Sequence, residues 1–381
     1  MYYLIKISGK DKPGITFSAM EILESFNQTI VDMGQNVTHG LLSLSILVEN
    51  DDSSSKAIQE LMIVSHNKKF TVEFDFLNKK KTNLKKGKKY FNITCLSSNP
   101  LPASFIKNLS NILSTHQLNI ERIDNPSDNF KCLEFTVKLK NGHLNEVKSK
   151  LIKLGDQYNI DIALQDNESL SSNHRLIVFD MDSTLIKQEV IELLAKEAGS
   201  LSKVSKITKQ AMEGKLDFTQ SLNKRVATLK GLSTSKIDSI IKQIEFNPGV
   251  KSLIKNLKKK GYKTAVISGG FTPFAKYVQE TLKLDYSFAN HLEIKNNKLT
   301  GKVTGTIVNS LQKKIILEQL AKKENIMLSQ VIAIGDGAND IPMLSSAGLG
   351  IAFHAKAIVN QNSKVQLKHS SMDNLIKLLN L

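Results

Sequence analysis

The sequence predicts an α/β chain: a Rossmann-like parallel sheet with a helical cap, preceded by two ferredoxin-like βαββαβ domains. Three observations carry this. In the second half of the chain, short apolar runs that end in Asp, Ser or Gly alternate with helical segments. Residues 1–164 instead spell one strand–helix–strand–strand–helix–strand order twice. Two polar stretches without periodicity, 79–89 and 165–174, divide the 381 residues into three pieces.

The first piece, 1–78, opens with the strand YYLIKIS, the turn GKDKPGI and the amphipathic helix ITFSAMEILESFN. TIVDMGQNVTHGLLSLSILVEN then reads as a hairpin, followed by a helix over 54–67 and the strand FTVEFDF. The second piece, 90–164, repeats the plan with YFNITCLSS, PASFIKNLSNILSTHQ, NIERIDN, FKCLEFTVKLK, LNEVKSKLIKLGDQY and DIALQ. In the third, 175–381, the strands are RLIVFD (175–180), KTAVIS (263–268), VIAIGD (331–336) and LGIAF (349–353). Nearly continuous apolar strands between helices imply a mostly parallel sheet covered on both faces. A long helical stretch, about 188–245, follows the first strand and predicts a small cap.

The bulk numbers exclude some roles. No apolar run reaches the roughly 18 residues of a membrane span, and the amino terminus lacks a secretory pattern. Cys95 and Cys132 have no metal-ligand spacing, which fits a reducing cytoplasm. The net charge is +16; seven lysines sit in the run KKKTNLKKGKK (79–89), without aromatic interleaving or a nucleic-acid motif, and elsewhere lysine is spread over helices. No nucleic acid and no membrane partner is expected.

The chemistry collects at strand ends. Ligands of open α/β sheets bind beyond the carboxyl ends of the strands. Three of the four runs end in capable residues: Asp180-Met181-Asp182, Ser268-Gly269-Gly270 and Asp336-Gly337-Ala338-Asn339-Asp340. Converging acids without His or Cys suit a hard cation, and Mg²⁺ is the expected cofactor. A carboxylate can also attack phosphorus, while a second one moves the proton. At a strand exit, residues two apart can enter one site, so Asp180 is the candidate nucleophile and metal ligand and Asp182 the candidate acid/base. Ser183, Thr184, Ser268 and the Gly269 N–H are candidate phosphate donors. By spacing, the expected lysine is either Lys313 or Lys314.

DMDSTLI (180–186), SGGF (268–271) and GDGAND (335–340) resemble the motif set of the haloacid dehalogenase-like phosphatases. With AMEGKLDFTQSLNKRV, FANHLEI and LTG in order, 175–368 resembles the branch of that family that hydrolyses O-phospho-L-serine. The resemblance implies Asp180 as nucleophile and Asp182 as proton donor. It implies Mg²⁺ held by Asp180, the backbone carbonyl of Asp182, and Asp336, with Asp340 behind them. It selects Lys313 over Lys314 and puts Ser268, Gly269 and Asn339 on the phosphate side. It also implies Glu189 on the substrate ammonium, Arg225 on its carboxylate and Phe218 in the lid. Ala357 stands where the family has proline, and His291 where arginine is common; neither touches this chemistry.

The two amino-terminal pieces resemble ACT domains, with DKPGI (11–15) at the strand-to-helix turn of the first. This implies an amino-acid effector at the ACT-like domains and pairing into a homodimer. The expected reaction is Mg²⁺-dependent hydrolysis of O-phospho-L-serine, the last step of L-serine biosynthesis. Two other readings stay open: a phosphotransferase or phosphatase for another small amino-acid-like phosphomonoester, and an amino-acid sensor whose phosphatase part is vestigial. The Glu189 and Arg225 pair, which demands a zwitterionic amino-acid head, is the discriminator for the first, and the filled catalytic positions argue against the second.

Overall fold

A computed structural model describes residues 2–77, 90–126, 130–139, 144–166, 175–355, 357–363 and 365–379. The lysine run 79–89 and residues 167–174 of the second expected linker lie outside the described residues. The chain forms two compact units, Met1–Gly87 and Lys88–Leu381.

In the first unit, β1 (Tyr2–Lys10), β2 (Ile30–Thr38), β3 (Leu41–Glu49) and β4 (Thr71–Leu77) form an antiparallel sheet ordered β2-β3-β1-β4. The helices Ile15–Ser25 and Ser54–Lys68 supply the two α elements. Leu42, Leu44, Ile46 and Val48 of β3 are buried while their neighbours alternate outward, as one-sided packing requires. Gly14 takes φ +93° where the chain turns into the first helix, which explains glycine after Pro13.

The second unit begins with the same plan. β5 (Tyr90–Leu96), β6 (Leu118–Asp124), β7 (Cys132–Leu139) and β8 (Asp161–Asp166) are ordered β6-β7-β5-β8. The helices are Ala103–Thr115 and Leu144–Tyr158.

It continues into a seven-stranded sheet of β9 (Leu176–Phe179), β10 (Lys263–Phe271), β11 (Tyr286–Lys295), β12 (Lys298–Thr304), β13 (Val331–Gly335), β14 (Leu349–Phe353) and β15 (Val365–Leu367). Its order is β12-β11-β10-β9-β13-β14-β15, parallel except for the β11–β12 pair. The four strands read from apolar runs are the central ones, with both faces buried. β11 and β12 lie at one edge and are half-exposed, and β15 has three residues, so none shows a continuous apolar run. Between β9 and β10 the helices Val190–Glu197, Leu201–Met212, Phe218–Ala227 and Thr234–Ile241 form the cap. Asp217 and Gln220 close a capping box on the third of these helices, which fixes where Phe218 and Arg225 begin and end their shared face.

The second βαββαβ module is seated on the carboxyl-terminal segment of the larger sheet. Leu96, Cys132 and Ala163 join one apolar core with Met372, Leu375 and Leu378. Asp161, 4% exposed, accepts from the backbone N–H groups of Lys368 (2.7 Å) and His369 (3.1 Å). Lys148 donates to Ser363 O at 2.8 Å. Asp161→Ala would leave two partly buried N–H groups unpaired, so we expect a loss of about 1–2 kcal/mol in the stability of the second unit. Thermal melts of the whole chain would show it as a lowered midpoint; an unchanged melt would remove Asp161 from the seat.

Candidate active site

The floor of the site follows from the parallel sheet. β9 and β13 are neighbours, and Asp180 N–H donates to Ile334 O at 2.9 Å. Asp180 and Asp336 therefore leave adjacent strands at the same end. The helix Ser310–Lys323 starts from an Asn309 cap, whose side chain accepts from Gln312 N–H, and its first turns bring in Lys313. That side chain is fully buried, with Nζ 2.7 Å from Asp180 Oδ1 and 2.7 Å from Asp340 Oδ1. Lys314, the alternative by spacing, is on the outer face and pairs with Glu318. Asp336 Oδ1 accepts from the Thr184 hydroxyl at 2.8 Å. At Gly335 a Cβ would come within 2.5 Å of Asp340 Oδ2, so the Asp340 carboxylate can lie flat under the loop only because that residue is glycine.

Four acids against one lysine set the electrostatics. Burial, then the Asp340 charge, raise the Asp180 carboxyl well above the usual range, although Lys313 opposes them. Burial, then Asp340, push Asp336 up to about 7. Asp182 is also pushed up to about 7, by burial and then by Glu189. Burial would lower the Lys313 ammonium, but Asp180 and Asp340 outweigh it and hold the lysine charged. Oxygens of Asp180, Asp336 and Asp340 all lie within 4.8 Å of one another. An all-carboxylate set with surplus negative charge fits a hard divalent cation.

Asp182 faces a different way from these three. Its Oδ1 accepts from Val190 N–H at 2.9 Å and its Oδ2 from the Ser268 hydroxyl at 3.3 Å. Ser268 Oγ in turn accepts from Gly270 N–H at 2.8 Å. A Cβ at Gly270 would stand 2.7 Å from Asp182 Oδ2, so the second glycine of SGGF makes room for this carboxylate.

Above the floor lies a cavity of about 620 Å³. Asp180, Asp182, Glu189, Arg225, Gly269, Asp336 and Asn339 all line it, as does Phe218. Lys313, Asp340 and Ser268 are outside the lining but bonded to its acids, whereas Ser183 and Thr184, expected as phosphate donors, are also outside it and give their hydroxyls to Glu189 and Asp336. Glu189 accepts from the Ser183 hydroxyl at 2.9 Å. Burial lowers the Arg225 guanidinium, opposed by Glu189, Asp182 and Glu192. Thr208, Ser221 and Ser310 also line the cavity and were not singled out from sequence; small hydroxyls on helices carry no local signal. Asn290 was missed too: fully buried, it donates to Gly269 O and accepts from Val308 N–H, each at 2.8 Å. Only the pairing of β10 with β11 brings it there.

Residues 174–348 match the haloacid dehalogenase-like hydrolase family, and residues 1–75 match the ACT domain. A phosphoserine phosphatase of Streptomyces coelicolor is 35% identical over 383 residues, covering 99% of this chain and 92% of the relative. A solved haloacid dehalogenase family hydrolase of Salmonella enterica superposes with a TM-score of 0.67 at 32% identity, over 76% of this chain and 98% of that one. A phosphoserine phosphatase solved with an analogue of its phospho-aspartyl intermediate gives 0.52 at 46% identity, over 54% and 99%. With the carboxylate floor, the buried lysine and the helical cap in place, the chain belongs to the haloacid dehalogenase-like hydrolase family, as one of its phosphatases, with an ACT domain at the amino terminus.

Proposed function

We propose that this chain hydrolyses O-phospho-L-serine to L-serine and phosphate with Mg²⁺, as the last step of L-serine biosynthesis in the cytoplasm. The observation that carries the reading is the composition of one cavity: a carboxylate-lined floor, with the Glu189 carboxylate and the Arg225 guanidinium above it and Glu192 also in the lining. The floor suits a phosphoryl group with a divalent cation, which haloacid dehalogenase-like hydrolases use. Glu189 and Arg225 suit the ammonium and carboxylate of an amino-acid head.

In this reading Asp180 attacks phosphorus and the ester bond to the serine oxygen breaks. Asp182, with its carboxyl near 7, gives its proton to the departing oxygen. The product of this half-reaction is serine and an aspartyl-phosphate on Asp180. Asp182 then takes a proton from water, whose oxygen attacks phosphorus and frees phosphate and the Asp180 carboxylate. Lys313, 2.7 Å from Asp180 Oδ1, favours the ionised carboxylate against its burial, and Ser268, Gly269 and Asn339 orient the phosphoryl oxygens. Mg²⁺, held by Asp180, the Asp182 carbonyl and Asp336, would neutralise charge on the phosphoryl group. Arg225 and Phe218 ride on one cap helix, so cap closure over the head group and water exclusion go together. The two βαββαβ modules are proposed to bind an amino-acid effector and to pair subunits into a homodimer. The domain boundaries 1–78, 90–164 and 175–381 belong to the same proposal.

Phosphate release from O-phospho-L-serine, with p-nitrophenyl phosphate alongside, tests the substrate. Losing a charge-assisted pair of about 1.5–3 kcal/mol, Arg225→Met should raise KM for phosphoserine about 10- to 100-fold and leave p-nitrophenyl phosphate within a few-fold. Equal effects on both esters would sink the amino-acid assignment and leave the chemistry standing.

A second expectation concerns metal and pH. Without metal, the native Asp182 and Asp336 carboxyls hold protons up to about 7, whereas unfolded carboxyls release them near about 4. The native state thus binds more protons between those values, and its stability falls as pH rises through them. A divalent cation at the acids would favour their ionised forms against the burial and neighbouring charge that raise them. Mg²⁺ should therefore raise the unfolding midpoint more at pH 8 than at pH 5; an equal or reversed shift would contradict the carboxylate site.

A further inference from the structure

The loop between β9 and the cap carries two of the hydroxyls that hold site acids: Ser183 on Glu189 and Thr184 on Asp336. Within the loop, Ile186 N–H donates to Met181 O at 3.0 Å and Ser183 N–H to Gln188 O at 3.4 Å. Ser183 sits at φ +56°, ψ −7°, in a left-handed region that costs a non-glycine residue on the order of 1 kcal/mol. One residue outside the loop gathers its carbonyls. The Asn247 side-chain amide donates to the carbonyls of Thr184 (2.8 Å), Ser183 (3.1 Å) and Ile186 (3.3 Å). Its backbone N–H donates to Leu185 O at 2.9 Å. The amide has two N–H groups, so its longest contact, to Ile186 O, is a shared one; with the backbone N–H, Asn247 spans four consecutive carbonyls, 183 to 186.

Asn247 is itself held on both sides. Lys187 N–H donates to Glu245 O at 2.9 Å, and Phe246 forms an antiparallel bridge with Ile186. Pro248 O accepts from Met372 N–H at 3.0 Å. It does not line the reaction cavity; it lines a separate hollow behind the loop, with Glu245, Phe246 and Asp373. It therefore touches no substrate. Asparagine fits because its amide presents donors to carbonyls; aspartate would present only acceptors, and alanine nothing.

We propose that Asn247 is a positioning residue for the reaction: by gathering these four carbonyls it fixes Ser183 and Thr184 so that their hydroxyls hold Glu189 and Asp336 in the cavity. This rests on the reading of that cavity as the reaction centre. Its effect should fall on turnover more than on binding of a substrate without an amino-acid head.

Asn247→Ala and Asn247→Ser, the latter keeping one donor, are compared with wild type in two measurements. One is turnover of p-nitrophenyl phosphate, which is independent of the phosphoserine assignment. The other is hydrogen exchange of the peptide spanning 180–187 in the substrate-free protein, which is independent of any activity. Loss of the side-chain hydrogen bonds should lower kcat about 10- to 100-fold in Asn247→Ala, with KM within about 3-fold. The loop should exchange faster, strands β9 and β13 should keep their protection, and Asn247→Ser should fall between. Unchanged kcat and exchange in either variant would overturn the proposal. So would a loss of protection across the whole parallel sheet, which would make Asn247 a stability residue. Should Asn247→Ala not fold, the same readouts on Asn247→Ser decide.

Discussion

The buried ammonium of Lys313 between Asp180 and Asp340 is the interaction on which the site depends. Three carboxylates within 4.8 Å of one another would repel strongly in a low dielectric. One fully buried lysine can offset part of that charge but not all of it. The remaining negative charge suits a hard divalent cation. Burial gives Lys313 its strength and also its cost, since removing it would leave two acids uncompensated inside the protein.

The fold is arranged around that compromise. β9 and β13 deliver Asp180 and Asp336 side by side, and β10 delivers Ser268 and the glycines that leave space for Asp182. The helix Ser310–Lys323 supplies the lysine from outside the sheet plane. On the proposed reading substrate choice falls to the cap, where Arg225 and Phe218, on one helix, both line the cavity above the floor. In that proposal the sheet holds the reacting groups and the cap helices carry the recognition.

Much of this was legible in the sequence, for reasons that differ by residue. Asp180, Asp182 and Asp336 stand out because acids directly after buried apolar strands are unusual and adjacent in the motifs. The central strands were legible because both of their faces are buried. β11, β12 and β15 were not, since half-exposed edges and a three-residue strand lack a period. Lys313 and Lys314 could not be separated by spacing, because a helix interior shows only when its neighbours are placed. Asn247 and Asn290 were invisible for a related reason. Each acts through backbone groups far away in sequence, and a carbonyl leaves no mark on the residue letter. The seat of the second module, made by Asp161 on two backbone N–H groups, is of the same kind.

The central claim is that Asp180 receives the phosphoryl group. The most direct measurement is acid quenching of the protein during turnover of phosphate-labelled phosphoserine, followed by peptide mapping. The account predicts a hydroxylamine-sensitive acyl phosphate on the peptide that contains Asp180, absent from Asp180→Asn. Label recovered on any other residue, or full turnover by Asp180→Asn, would contradict it.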